Sequence, residues 1–159
     1  MATESSLALP LVVLDTNAVL DLWVFGDAGM QPLFLALQAG LLQWLVCPAM
    51  RAELARTLGY RSLSRYKVDA ARVLGCFDQW STSASPPPVT LVPSLRCSDP
   101  DDQVFLDLAL ASKAKWLVTH DRALIRLTRP ARGQGLHVVR PRDWRLEQHA
   151  VAQKVNELS

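Results

Sequence analysis

The stretch LVVLDTN, residues 11–17, decides the fold of this 159-residue chain. Its first four residues are all apolar and include two neighbouring valines, which is typical of a central strand that is covered on both faces. The apolar run stops abruptly at Asp15, so a carboxylate comes directly after the strand. In open parallel sheets, binding sites lie at the carboxyl ends of the strands. The stretch therefore predicts a buried parallel strand with an acidic residue at a site.

Short apolar runs and helical segments alternate along the rest of the chain. Further strands are predicted at residues 42–47, 89–92, 116–119 and 136–139. Helices are predicted at residues 18–25, 32–39, 49–58, 66–80, 101–113 and 123–128. Between them, residues 81–88 contain three successive prolines, which forbid a helix and predict a surface loop. Alternating strands and helices are typical of a parallel sheet with helices on both faces, so we expect an α/β protein with a single α/β/α domain.

Length and composition predict one domain. A chain of 159 residues lies within the usual range of about 100 to 200 residues per domain, and half of its residues are hydrophobic. We expect a single domain over residues 1–159, with a core at about 11–144 and a tail at 145–159. A loose apolar stripe in this tail predicts a further helix.

The cysteines and the N-terminal residues indicate a cytoplasmic protein. Cys47, Cys76 and Cys97 are odd in number and lack C-x-x-C spacing, which argues against a disulfide framework and a zinc site. The first residues, MATESS, lack the basic start and the apolar stretch of a secretory signal. No apolar run approaches the roughly 20 residues that span a bilayer, so we expect no membrane insertion.

Acidic residues recur where a parallel α/β sheet builds its sites. These acids are Asp15, Glu53, Asp99, Asp101, Asp102 and Asp121. Each also has an ordinary structural interpretation. Asp15 and Asp121 can cap the helices that follow them, and Glu53 can pair with Arg56 on an exposed helix face.

The run Asp99-Pro100-Asp101-Asp102 is also a good helix start, with a capping acid, a proline and two acids favoured by the helix dipole. At 3.6 residues per turn, Asp101 and Asp102 both flank the apolar face of the helix. Periodicity therefore does not choose between them.

Taken in order, these residues resemble the motifs of the PIN domain family. The motifs are Leu14-Asp15-Thr16-Asn17, Pro48…Ala52-Glu53-Leu54, Asp99-Pro100-Asp101-Asp102-Gln103-Val104-Phe105-Leu106 and Leu117-Val118-Thr119-His120-Asp121. The similarity runs from about residue 11 to residue 144 and is greatest to a branch of toxin–antitoxin proteins, the VapC toxins. It implies a PIN-like α/β/α fold that gathers acids into one pocket, binds Mg²⁺ or Mn²⁺ and cleaves single-stranded RNA.

The resemblance also implies roles for individual residues. The implied catalytic acids and metal ligands are Asp15, Glu53, Asp102 and Asp121, with Asn17 and Thr119 as supporting polar residues. Gln103 and His120 depart from the branch, which often has Asp or Asn at the first position and a small residue at the second. The implied partner is a protein antitoxin, and the sequence leaves the oligomeric state open, with a homodimer as one option.

Basic residues are distributed unevenly, although the net charge is only +2. Thirteen of the 17 basic residues are Arg, and they concentrate in residues 51–67 and 122–145. Because the planar guanidinium suits phosphate, we predict that Arg56 and Arg61 bind RNA; the alternative is a solvated helix face. Trp23 or Trp144 could stack on bases, whereas most tryptophans are expected in the core.

The leading hypothesis is a metal-dependent endoribonuclease that acts as the toxin of a toxin–antitoxin pair. One alternative is a non-catalytic PIN-like module that binds RNA or a partner. Another is a phosphotransfer enzyme with Asp15 as nucleophile, as in haloacid-dehalogenase-like phosphatases. Asn17 argues against the last, because a second acid is expected at its position.

Overall fold

A five-stranded parallel sheet lies at the centre of the structure, a computed structural model that describes residues 8–146. The strands are β1 (Leu11–Leu14), β2 (Gln43–Val46), β3 (Ser81–Ser83), β4 (Trp116–Val118) and β5 (His137–Val139). Their order across the sheet is β3-β2-β1-β4-β5, and every neighbouring pair is parallel. The predicted α/β class with a central parallel sheet and flanking helices is confirmed.

The helices connect successive strands. They are α1 (Thr16–Leu20), α2 (Gln31–Gln38), α3 (Pro48–Leu58), α4 (Ala70–Trp80), α5 (Gln103–Ala111), α6 (Arg122–Ile125) and α7 (Thr128–Gly133). Shorter turns are a π-helical turn at Asp21–Phe25 and 3-10 turns at Ala28–Met30, Arg61–Tyr66, Pro93–Leu95, Pro100–Asp102 and Pro141–Asp143. None of the helices between residues 8 and 146 has the length and apolar character needed to cross a membrane.

Strand β1 occupies the middle of the sheet, as its apolar sequence predicts. Val12 is fully buried and faces Trp44 of β2 on one side and Trp116 of β4 on the other. The ladder continues one residue past the strand, because the Asp15 amide donates to the carbonyl of Val118 at 3.0 Å. Asp15 is therefore fixed by the backbone at the carboxyl edge of the sheet.

The third strand lies where a loop was expected. The strand predicted at residues 89–92 is wrong, and the loop predicted at residues 81–88 is wrong in its first three residues. Ser81–Ser83 follows α4 directly and pairs in parallel with β2, with Thr82 opposite Leu45. An edge strand needs only one ladder partner and tolerates polar side chains, whereas Leu91 is 90% exposed.

Several helix boundaries also differ from the prediction: the helix predicted at residues 123–128 is divided into α6 and α7, and the helix predicted at residues 101–113 begins with the Pro100–Asp102 turn. The helix predicted at residues 66–80 begins only at Ala70, because Lys67 takes a left-handed conformation and Asp69 caps the helix through the Arg72 amide. The helix predicted at residues 18–25 begins at Thr16 and widens into the π-helical turn from Asp21. Most of the predicted tail helix, residues 147–159, lies outside the described residues.

Candidate functional site

A cavity of about 470 Å³ opens at the carboxyl ends of β1 and β4. The four acids and the amide predicted for the site all line it: Asp15, Asn17, Glu53, Asp102 and Asp121. The acids come from the end of β1, from α3, from the turn before α5 and from the start of α6. The parallel sheet thus brings together carboxylates that are far apart in the sequence.

Asp15 is the most buried of these acids, at 3% exposure. One carboxylate oxygen accepts a hydrogen bond from the Ala18 amide at 2.8 Å, which caps α1. The other accepts from the Thr119 hydroxyl and from the His120 amide. Burial raises the pKa of Asp15, and the hydrogen bonds from Thr119 and Ala18 partly offset that rise.

Thr119 links two of the acids. Its fully buried hydroxyl donates to Asp15 and accepts from the Asp121 amide at 2.9 Å. Asp121 in turn caps α6, because one carboxylate oxygen accepts from the Ala123 amide at 2.7 Å. The capping interpretations of Asp15 and Asp121 are therefore correct, and both side chains nevertheless line the cavity.

Glu53 is half-buried on α3 and faces the cavity. The Thr16 hydroxyl donates to its carboxylate at 2.7 Å, so the first helical turn after β1 orients this acid. The salt bridge of α3 with a neighbouring helix is instead Arg51 to Asp78, at 2.8 Å. Among residues 8–146, Glu53 and Arg56 therefore do not form the predicted ion pair.

Within the run Asp99 to Asp102, one acid lies in the cavity and its neighbour lies on the exposed surface. Asp102 is half-buried and lines the cavity, whereas Asp101 is exposed and is absent from its lining. Carboxylate oxygens of Asp99, Asp102 and Asp121 lie within 4.8 Å of one another. One oxygen of Asp102, Oδ2, is buried and has no hydrogen-bond partner among the described residues.

The surroundings of Asp102 favour the protonated form of its carboxyl group. Burial, a hydrogen bond with Asp121 and the negative charges of Asp121, Asp99 and Asp15 together raise the pKa of Asp102 to about 8. Burial also raises the pKa of the nearby Cys97 thiol. Acids that hold their protons this tightly are typical of sites where a cation or a substrate supplies the missing positive charge.

The two residues that depart from the family pattern have structural partners. Gln103 accepts from the Cys97 amide at 2.6 Å and donates to Asp107 at 2.8 Å, so it ties the preceding loop to α5. The His120 ring bonds to Asp21, which is 6% exposed in the π-helical turn. Both residues thus brace the elements that carry the acids.

The predicted RNA-binding side chains are placed differently from the acids. Arg56 and Arg61 are exposed and do not line the cavity, whereas Arg65 does. Trp144 is 2% exposed and packs on Trp116, so the suggestion that it stacks on bases is wrong.

Three rings that the sequence interpretation missed line the cavity: Phe25, Tyr60 and Tyr66. Trp23, the other suggested stacking residue, is half-buried and stacks on Trp44 at 5.8 Å. Both tyrosines alternate with arginines in residues 56–66, and such interleaving of rings and cations is a signal that could have revealed them.

Asp99 should have a measurable capping role. Its carboxylate accepts from the Asp101 amide at 3.0 Å at the start of the Pro100–Asp102 turn. We predict that Asp99→Ala lowers the free energy of unfolding by about 1 kcal/mol more than Asp99→Asn, because asparagine retains the cap. Urea denaturation of the two variants measures the difference. Since both substitutions remove the same charge, equal stabilities would contradict the capping role.

Known protein structures share the fold of this chain. The chain is similar in structure to VapBC2 from Rickettsia felis, which was crystallised bound to a DNA fragment from its promoter. The TM-score is 0.52 and the sequence identity 14%, and the match covers 80% of this chain and 96% of that chain. It is also similar to PAE2754 from Pyrobaculum aerophilum, with a TM-score of 0.54 and 19% identity over 87% of this chain and 89% of that chain. At these identities the likeness shows a shared fold.

No curated protein matches the chain. The family model of the PIN domain matches residues 11–123, which is more than half of the sequence. The chain therefore belongs to the PIN domain family.

Proposed function

We propose that this protein is a metal-dependent endoribonuclease that cleaves single-stranded RNA. The observation that carries the proposal is the convergence of Asp15, Glu53, Asp102 and Asp121 on one cavity. A phosphodiester is anionic, and its transition state carries more negative charge. Clustered carboxylates would repel such a substrate unless a cation lay between them.

The donor set fits Mg²⁺ or Mn²⁺. All four acids offer oxygen ligands, which these hard cations prefer, and the ring of the neighbouring His120 is engaged by Asp21. The buried Oδ2 of Asp102, which has no hydrogen-bond partner among the described residues, is suited to a ligand position. We propose that Asp15, Glu53, Asp102 and Asp121 hold the cation, and the approach of Asp102 and Asp121 oxygens to within 4.8 Å of each other and of Asp99 supports a ligand group at this end of the cavity. When bound, the cation offsets the negative charge of the phosphodiester and lowers the pKa of an attacking water.

The surrounding residues have supporting roles in this proposal. The Thr119 hydroxyl bonds to the Asp15 carboxylate and to the backbone amide of Asp121, so it ties the ends of β1 and β4 together beside the cavity. Glu53, held by Thr16, is placed on the cavity wall where it can accept a proton from the attacking water. Asn17 is exposed at the cavity and can donate from its amide to a phosphate oxygen.

Cleavage of a fluorescently labelled, unstructured RNA tests the activity. We expect cleavage with Mg²⁺ or Mn²⁺ and none with EDTA. Cleavage that survives both EDTA and the Asp15→Asn, Asp121→Asn double substitution would contradict the mechanism. Metal and RNA binding without any cleavage would favour the alternative of a non-catalytic RNA-binding module.

We further propose that the enzyme acts as a toxin that a protein antitoxin restrains. Family membership and the fold shared with VapBC2 support this role. Expression of the chain alone should arrest growth of a bacterial host, and Asp15→Asn should abolish the arrest. Co-expression with a small protein encoded beside the gene should restore growth; arrest that persists would contradict restraint by that protein.

The arginines outside the cavity give a separate prediction for RNA binding. Each phosphate contact with single-stranded nucleic acid contributes about 0.7 to the slope of log affinity against log salt. Replacing Arg56 and Arg61 together by Gln should therefore flatten that slope by up to about 1.4, as measured by fluorescence anisotropy with Ca²⁺. Arg132→Gln is the control, because Arg132 lies with His137 at the amino end of β5. An unchanged slope would return Arg56 and Arg61 to the interpretation of a solvated surface.

A further inference from the structure

The exposed aromatic side chains of this chain are all gathered at one place. Phe25, Tyr60 and Tyr66 are 40%, 50% and 39% exposed, and all three line the acidic cavity. Every other aromatic residue of the sequence falls within residues 8–146 and is buried or half-buried. A contiguous exposed apolar patch marks a binding surface more often than scattered apolar residues do. We call Phe25, Tyr60 and Tyr66 the aromatic wall.

Part of the aromatic wall is held in place without a ligand. The rings of Phe25 and Tyr66 meet edge to face, with centroids 4.9 Å apart. Arg65 donates to the Tyr66 hydroxyl at 2.8 Å, and its guanidinium lies 4.9 Å from the centre of that ring. Gly26, at φ 62°, ends the π-helical turn directly after Phe25 in a conformation that suits glycine.

Tyr60 supplies the open part of the aromatic wall. It is the most exposed of the three rings and has no ring partner among the described residues. Its position between α3 and the Arg61–Tyr66 turn places it in the same segment as Arg65. The cavity thus combines a buried acidic end at Asp15 with an exposed aromatic side that carries the positively charged Arg65 side chain.

We propose that the aromatic wall stacks an unpaired nucleobase of the RNA, next to the phosphate that is cleaved. The inference rests on the proposed function and adds which residues receive a base: an unpaired base of the single-stranded RNA is free to reach the rings. Arg65 lines the same cavity, and in this proposal its guanidinium supplies the positive charge for an adjoining phosphate. A nucleotide has the aromatic face and the anionic group that this combination of rings and guanidinium fits, which favours RNA over an apolar protein segment.

Affinity measurements with a base-free control test the stacking. The probes are a labelled unpaired RNA decamer and a ribose-phosphate chain of the same length without bases, each measured by anisotropy with Ca²⁺. Tyr60→Ala should weaken binding of the RNA by about 5- to 150-fold and leave the abasic chain unchanged. Tyr60→Phe retains the ring and should bind as the wild type does. Leu91→Ala is the matched control, because Leu91 is exposed and lies outside the cavity lining.

The outcomes separate the stacking from the catalytic proposal. Unchanged RNA affinity in both Tyr60→Ala and Phe25→Ala overturns the stacking, even if the wild type cleaves RNA. Equal weakening for RNA and for the abasic chain also overturns it. Base-dependent binding without cleavage by the wild type supports the stacking and overturns only the catalytic proposal. A metal-induced shift in melting temperature equal to that of the wild type shows that Tyr60→Ala is folded.

Discussion

We expect Asp102→Asn to lower RNA cleavage by more than about 100-fold, because loss of a group that merely orients a metal ligand already costs about 10- to 100-fold. The matched variant is Asp101→Asn, which removes the same charge from the adjacent residue. Asp101 is exposed and does not line the cavity, so its substitution should leave cleavage within a few-fold of the wild type. Single-turnover rates with saturating Mn²⁺ measure both.

The comparison between the two neighbours also tests the assignment itself. If Asp101→Asn is inactive and Asp102→Asn is active, the functional acid is misplaced by one residue. If both variants are inactive, loss of the helix start is the simpler explanation. Circular dichroism of the two proteins then identifies it, because a disrupted helix start lowers the melting temperature of both.

The second large effect is stabilisation by the cation. A ligand that binds only the folded state stabilises it by about 2.7 kcal/mol at a hundred times its dissociation constant. We therefore expect Mn²⁺ to raise the melting temperature of the wild type clearly, and to shift the Asp15→Asn, Asp102→Asn double variant much less. Equal shifts in the two proteins would show that these acids do not share a site.

Without metal, the stability of the protein should fall as the pH rises and Asp102 loses its proton. The pKa of Asp102 is raised to about 8 in the folded state, whereas an unfolded aspartate titrates near its ordinary value of about 3.9. The folded state therefore binds this proton more tightly, and the stability that the proton contributes is lost as pH rises from about 4 through about 8. In EDTA, the melting temperature of the wild type should fall over this range more steeply than that of Asp102→Asn. Parallel pH profiles would contradict the raised pKa.

The sequence was sufficient to predict the fold where hydrophobic burial decides the structure. The run from Leu11 to Leu14 forms a central strand because both of its faces are covered, and only apolar residues fit there. Ser81–Ser83 carries no such signal, since pairing with β2 at the sheet edge depends on tertiary position. Val89 and Leu91 are apolar but exposed, so hydrophobicity alone predicted the wrong segment.

For the candidate site, the order of the acids along the chain was more informative than helical geometry. Periodicity did not choose between Asp101 and Asp102 because both flank the apolar face at 3.6 residues per turn, and in the structure both lie in a 3-10 turn before α5. The interleaving of Tyr60 and Tyr66 with arginines could have marked them as candidates, but their exposure at the cavity depends on tertiary packing, which the sequence pattern does not give. The choice between Asp101 and Asp102 and the exposure of the two tyrosines both depend on how separate helices and turns pack together.

The link between Thr119 and Asp15 joins residues 104 positions apart, across the adjacent strands β4 and β1. During synthesis on the ribosome, Asp15 and Glu53 emerge long before Asp102, Thr119 and Asp121. A partly made chain therefore contains only half of the acidic cluster and cannot assemble the cavity. Under the proposed function, this order of synthesis delays nuclease activity until most of the chain has been translated, and we expect a prematurely terminated fragment to be inactive.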